Sequence, residues 1–472
     1  MPEQRQTEKI LDTSSEKTPA RLLSIPYLML RFTTAGGALV SGLVQTFVFA
    51  RILDPDLFSV FILIGALAVS FWLVDFGLTR IVFIRQREAH LAGRSDNPIA
   101  RQAAAIAIFH ALLTTGSTVM LTAAIAIFWR EPQQALNLGL FFIFTSLNLV
   151  WFVLRFVCLA TDRYIFFEFH EAIRRVAHIG IMLAMLFGLP LLAFLLLVNT
   201  VWIVLFASVA IRLAQSHALA WPNDGILPTL LSFLRDNKSE ARRIGTYAAG
   251  EFYIYNFPYL VVPLIYGLGA PIIILDTTFK IFRGAAILYG AGCDVAVPQQ
   301  IRALANHDRP HLIRATLMAA LLCGLPAILI CAFLVFDSAD LFALLLGPAA
   351  IMPSAIVPIL ILLLIAGLAQ TVAYSLLLHT GFFRQLGLLA TGLAAALTLM
   401  TLASLPFELD MIDYLAVYAS VYAGAALFSL AAMMSGPFRA ANAKTGTAGR
   451  LHGDHEAPIK PASERGAARL AH

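Results

Sequence analysis

Residues 38–85 read ALVSGLVQTFVFARILDPDLFSVFILIGALAVSFWLVDFGLTRIVFIR. Two apolar runs, Thr33–Ala50 and Leu57–Leu78, are parted only by the polar joint at 51–56. A helix rises 1.5 Å per residue, so each run of about twenty residues is long enough to cross a hydrocarbon core of about 30 Å. The joint is too short to leave the membrane and fold by itself, so the second run must turn back beside the first. The stretch therefore predicts an antiparallel pair of transmembrane helices.

The same reading continues along the chain. Apolar spans follow at Ala103–Phe128, Leu136–Leu154, a fifth ending near Gly188, Leu191–Ile211, Ile244–Leu264, Ile272–Ala291, Leu317–Phe336, Ile356–Leu378, Leu386–Leu405 and Leu415–Met434. The apolar part of the fifth, from Val176, is too short to span alone. It is expected to begin earlier, with Glu168, Glu171, Arg174 and Arg175 on a helical stem where the Glu171–Arg175 spacing permits an ion pair. Composition agrees: 59% of residues are hydrophobic and 13% charged, against roughly 45–50% and 25% in soluble domains. The expected fold class is an all-α polytopic membrane protein of about 12 transmembrane helices.

A net charge of +5 is of the sign that nucleic acid attracts, but the cations gather on alternate joints. One set carries Arg80, Arg85, Arg87, Arg94 and Arg101, then Arg155, Arg163, Arg174 and Arg175, then Arg212, Arg235, Lys238, Arg242 and Arg243, then Arg302, Arg309, Arg314 and Arg384. The other set has only Arg51 and Arg130, and holds Asp54, Asp56, Glu131, Asp337, Asp340, Glu408, Asp410 and Asp413 instead. This asymmetry sets insertion orientation, and it predicts a cytoplasmic location for both termini. The longest joint, 212–243, falls halfway and contains Trp221, Pro222, Gly225 and Pro228. It divides the chain into a six-helix bundle over 33–211 and another over 244–435, with a cytoplasmic tail at 1–32 and a polar, disordered tail at 436–472. The amino-terminal residues lack the apolar core of a secretory signal. Cys158, Cys293, Cys323 and Cys331 form no CxxC pattern and read as packing residues. No cofactor, metal or catalytic residue is expected.

The opening stretch resembles the start of the Wzx-like polysaccharide flippases, of the multidrug/oligosaccharidyl-lipid/polysaccharide exporter superfamily. Leu53, Asp54, Pro55, Phe58 and Phe61 match the family pattern after the first helix, and Asp75, Phe76, Gly77 and Leu78 match the turn ending the second. Residues 340–392, with Leu346, Gly347 and Pro348, are similar to the ninth-to-eleventh-helix region; Ser59 and Ala350 depart from the pattern. The resemblance implies a flippase of the bacterial inner membrane. Its substrate would be a lipid-linked oligosaccharide of the undecaprenyl-pyrophosphate type, used in polysaccharide biosynthesis alongside glycosyltransferases and a polymerase.

Charges inside spans cost about 2.5–3.5 kcal/mol on insertion scales and face a cavity or a partner. Asp276, Lys280 and Arg283 follow one another at i, i+4 and i+7, along one helix face. They read either as a basic wall for a pyrophosphate or as a neutralised pair with Arg283 reaching the surface. Tyr247, Glu251, Tyr255 and Tyr259 form a polar aromatic stripe. Glu251, with Asp276, is the candidate for ion coupling, or else the structural partner of Lys280 or Arg283. Arg31, Thr34, Ala38, Ser41 and Gln45 make a small, polar stripe that either lines a cavity or lets helices approach. Substrate contact is thus assigned to Arg283, Lys280, Arg31, Gln45 and Tyr255. Asp75 and Arg80 read as a loop-anchoring pair; His110, His170 and His178 receive no role.

Two other functions compete. A membrane glycosyltransferase would use the Asp54-Pro55-Asp56 acids, but no outward joint is large enough for an acceptor site. A multidrug exporter of the same superfamily would favour acids and aromatics over a basic wall. No G-x-x-x-x-G-K-[ST] pattern provides a nucleotide site for primary pumping.

Overall fold

The computed structural model describes residues 25–93, 97–129, 131–347 and 352–442. The expectations for the first 24 residues, for 443–472, for Arg94 and Arg130, and for Pro348 and Ala350 fall outside these. Among the described residues every regular element is helical. Helices α1 (Ile25–Ile52) and α2 (Pro55–Ser70) form the expected antiparallel pair. Asp54 caps α2 by accepting from the Leu57 amide at 2.9 Å, and Pro55 supplies the first helical residue. The acids of the Asp-Pro-Asp joint thus begin with a helix cap, worth about 1 kcal/mol.

The second span then tightens into a 3₁₀ turn, Phe71–Asp75, and breaks at Phe76 and Gly77, both with positive φ, before α3 (Leu78–Leu91). Asp75 secures the restart, accepting from the Thr79 amide at 3.2 Å and from the Thr79 hydroxyl. Four more rods complete the first half: α4 (Asn97–Trp129); α5 (Pro132–Ser146) continued by α6 (Asn148–Ala160); α7 (Tyr164–Ala184) with its 3₁₀ extension to Phe187; and α8 (Leu191–Gln215). The polar stem of α7 is helical, and Glu171 pairs with Arg175 at 2.8 Å, as the spacing allowed.

The central joint is mostly helix. It holds α9 (Ile226–Asp236), and α10 (Lys238–Tyr266) starts well before the apolar span it contains. The second half continues with α11 (Ala270–Ala305), α12 (Arg309–Leu346, kinked at Asp337), α13 (Ile356–His379), α14 (Phe383–Ser404) and α15 (Met411–Ser435). Counting α2 with α3 and α5 with α6 as single rods gives six on each side of α9. Among the described residues nine stretches are long and apolar enough to cross a membrane. Those that fall short, α7, α10 and α11, carry most of the charges inside the bundle.

The halves meet chiefly where α1 packs on α11 and α12 and where α2 meets α10 and α11. Gly284 of α11 lets Leu39 of α1 in: a Cβ there would lie 2.2 Å from Leu39 Cδ1. One end of the bundle carries the arginine-rich joints (the basic end), the other Asp54, Asp56, Glu408 and Asp410 (the acidic end). With native cysteines replaced, cysteines at Asp56, Asp340 and Asp410 are expected to react with an impermeant thiol reagent in intact cells, and one at Gly93 is not. Asn237 is buried, so exposed Arg235 is the better second inward position. Reversed labelling would invert the orientation.

Candidate functional site

A cavity of about 150 Å³ lies between the halves, towards the acidic end. The first half gives it an aromatic wall, Phe49 from α1, Phe58 and Phe61 from α2 and Phe141 from α5, with Gln45 at its margin. These rings pack edge to face, with centroids 5.5 Å apart for Phe49 and Phe61 and 5.0 Å for Phe61 and Phe141. The second half contributes Asp276, Lys280 and Arg283 from α11 and Tyr259 from α10. The three charges at i, i+4 and i+7 do share one face, and that face looks into the cavity.

Their partners differ. Lys280 Nζ is 2.6 Å from Asp276 Oδ2 and donates to Thr46 Oγ1 of α1 at 3.0 Å. The Tyr259 hydroxyl donates to Asp276 Oδ1 at 3.1 Å. Asp276 and Lys280 therefore neutralise one another. Arg283 has no carboxylate within ion-pair distance among the described residues. It donates to the Tyr255 carbonyl and lies over the Tyr259 and Phe279 rings at 5.1 and 5.6 Å, while its buried Nε has no hydrogen-bond partner. An unsatisfied buried donor costs about 1–3 kcal/mol, so an anion entering the cavity would find one cation able to accept it.

The α1 stripe turns mostly elsewhere. Thr34 donates to Glu168 Oε2 at 2.6 Å, and Ser41 meets His178 Nδ1 at 3.0 Å, both on α7. Arg31 lies 3.6 Å from Glu168 and 3.5 Å from Asp294 of α11, near the basic end. Only Gln45 of the stripe lines the cavity. Tyr255 presents its carbonyl to Arg283, while its hydroxyl faces Tyr422 at 3.2 Å. Glu251 is not brought to Lys280 or Arg283. It lies beside the Tyr247 hydroxyl, and the cation whose field reaches it is Arg80 of the other half.

Contacts between the halves flank the cavity. At the acidic end Arg51 of α1 donates to the carbonyls of Leu344 at 2.6 Å and Leu345 at 3.3 Å, in the last turn of α12. A helix carboxyl terminus leaves its final carbonyls unpaired and carries negative dipole charge, so a guanidinium suits it. The Gly269 amide donates to Ser59 Oγ at 3.2 Å nearby. At the basic end Arg31 reaches Asp294, and the α2–α3 break packs on α10. A Cβ on Gly77 would lie 2.5 Å from Ile244 Cγ2, and one on Gly245 3.2 Å from the Phe76 carbonyl oxygen. The sequence reading missed Asp294 and the Arg51 clasp. Asp294 stands eleven residues after Arg283, on nearly the same helix face, but beyond the apolar span that bounded the search. Arg51 was visible only as an exception among acids.

No family model matches the chain, and no curated relative does. Solved structures do. The eukaryotic MATE transporter AtDTX14 superposes with a TM-score of 0.59, covering 88% of this chain and 97% of its own, at 13% identity. The fold is that of the MATE transporters. Two conformations of a multidrug resistance MATE family transporter of the MOP superfamily share the MATE fold with this chain. The inward-facing one has a TM-score of 0.55 (88% of this chain, 96% of its own) and the outward-facing one 0.56 (89% and 97%), each at 13% identity. At such identity the MATE likeness carries the architecture, twelve transmembrane helices in two bundles, and no residue roles.

Proposed function

We propose that this chain is an alternating-access transporter that moves a lipid-linked oligosaccharide pyrophosphate across the bacterial inner membrane through the space between its halves. The observation that supports it is the charge balance of the cavity. Asp276 cancels Lys280, leaving Arg283 as an uncompensated cation opposite an aromatic wall. That pairing suits an amphipathic anion: the guanidinium fork takes phosphate oxygens, and the rings take prenyl chain or sugar faces. A substrate much larger than about 150 Å³ requires the halves to part, and the existence of the MATE fold in inward- and outward-facing forms supports such rocking. Glycosyltransferases and a polymerase are the partners this reading implies.

A second reading, a multidrug exporter, is favoured by the names of the fold neighbours and by the aromatic wall. A cationic drug would meet Arg283 as a like charge, which counts against that class of cargo. In both readings Glu251 is proposed as the ion-coupling carboxylate, since it is the one acid within the apolar span of α10 and stands in the same helical row as Tyr247, Tyr255 and Tyr259. Glu251→Gln is expected to leave the protein inserted while export loses its response to a collapsed proton or sodium gradient. Export that still falls to the wild-type extent on adding ionophore would remove Glu251 from coupling. The transport reading itself is tested by export assays on Arg283 variants.

A further inference from the structure

Helix α9 has two unlike faces. Leu230 and Phe233 are buried against the bundle. The Arg85 guanidinium lies 5.8 Å over the Phe233 ring and donates to Asn237 Oδ1, just beyond the end of α9. On the other face Leu227 and Leu231 are 60% and 57% exposed, and Arg235 follows four residues later in the same row. A face made of i and i+4 leucines, open to water, forgoes the favourable transfer that burying each side chain would bring. Among the described residues nothing in the bundle covers it.

We infer that α9 lies in the membrane surface at the basic end, with Leu227 and Leu231 in the headgroup–acyl boundary and its neighbouring cations on anionic headgroups. Three observations select lipid as the occupant. The joint 212–243 carries Arg212, Arg235, Lys238, Arg242 and Arg243 against Asp224, Asp236 and Glu240, a basic excess of the sign that anionic lipid attracts. The helix joins two membrane rods through short segments, so it cannot leave the level of their ends. The exposed apolar side of α8 runs through Ile203 and Val204 to Ile211, next to Arg212, so the lipid-facing belt reaches the start of this joint. An amphipathic helix bordered by cations is the form such surface helices take. Since α9 is the link between the two halves, this contact would hold their joint at the leaflet.

The test uses the full chain in vesicles, with no other protein present. Leu231→Trp adds one indole at an exposed position, read as the difference in emission from wild type. In vesicles of phosphatidylethanolamine and phosphatidylglycerol the added emission is expected to shift to the blue and to be quenched by lipids brominated near the top of the acyl chain. Quenching is expected to weaken in purely zwitterionic vesicles, and also in anionic ones when Arg235→Glu and Lys238→Glu are combined. Leu227→Trp provides the same reading if the first variant assembles poorly. Emission at the water-exposed wavelength, untouched by brominated chains, would overturn the inference and leave the face to a protein partner. Equal quenching in both lipid mixtures would overturn its anionic part.

Discussion

Arg283→Ala is expected to lower glycan export by roughly 100-fold or more while the protein remains in the membrane at normal abundance. The guanidinium is the cavity's one uncompensated cation among the described residues, and its partners are a backbone carbonyl and aromatic rings. The fold loses an aromatic contact to a cation, about 0.5–2 kcal/mol, and one hydrogen bond from a charged donor, about 1.5–3 kcal/mol, and keeps the rest of a twelve-helix bundle. An anionic substrate loses far more. Removing one member of a desolvated, hydrogen-bonded charge pair costs about 2–5 kcal/mol, and each 1.4 kcal/mol is about tenfold. Arg283→Lys should recover part of the activity, because an ammonium keeps the charge and loses the planar fork. The measurement is glycan export in cells lacking the wild-type gene, normalised to membrane abundance. Full export by the alanine variant would take Arg283 off the transport path and leave Lys280 as the remaining cavity cation.

A second large effect is expected at the acidic end. Arg51→Glu removes two hydrogen bonds to the last turn of α12 and sets a carboxylate against carbonyl dipoles. Hydrogen bonds from a charged donor contribute about 1.5–3 kcal/mol each, so their loss should shift the open-to-closed ratio at that end by roughly 100-fold or more. A cysteine at Ala66, on the cavity wall, reports this. In a chain without native cysteines, its labelling by an impermeant reagent from the acidic-end side should quicken accordingly in the Arg51→Glu background. Export should fall, because a protein resting open on one side completes few cycles. Unchanged labelling would mean that the clasp does not hold the acidic end closed.

The fold was largely legible because a bilayer leaves so few solutions. Backbone groups must be satisfied within each span, so apolar length gave most of the rods, the fifth needing its polar stem as well, and alternating cations predict an orientation. Helix ends were less legible: α10 and α12 run well past their apolar cores, since a hydropathy window records lipid contact and not helix length. The basic face of α11 was also readable, because residues at i, i+4 and i+7 share a face wherever the helix sits. What they face was not. The Asp276–Lys280 pair was one of the two readings their spacing offered; that Arg283 lies over the Tyr259 and Phe279 rings on the cavity wall, with no carboxylate partner among the described residues, depends on α10 and was not readable. Arg31 and Gln45 stood in one stripe, yet Arg31 is claimed by Glu168 and Asp294, while Gln45 reaches the cavity. The aromatic wall left no trace in a chain where phenylalanine is common throughout.

On the proposed function, the space between the halves carries a lipid-linked anion. The most direct measurement reconstitutes the purified chain in vesicles and follows the leaflet of an undecaprenyl-pyrophosphate oligosaccharide, with a lipophilic cationic dye as the competing cargo. Faster translocation of the pyrophosphate lipid than in protein-free vesicles, lost in Arg283→Ala and absent for the dye, is the predicted result. Movement of the dye with the pyrophosphate lipid left in its starting leaflet would contradict the account and establish the multidrug reading in its place.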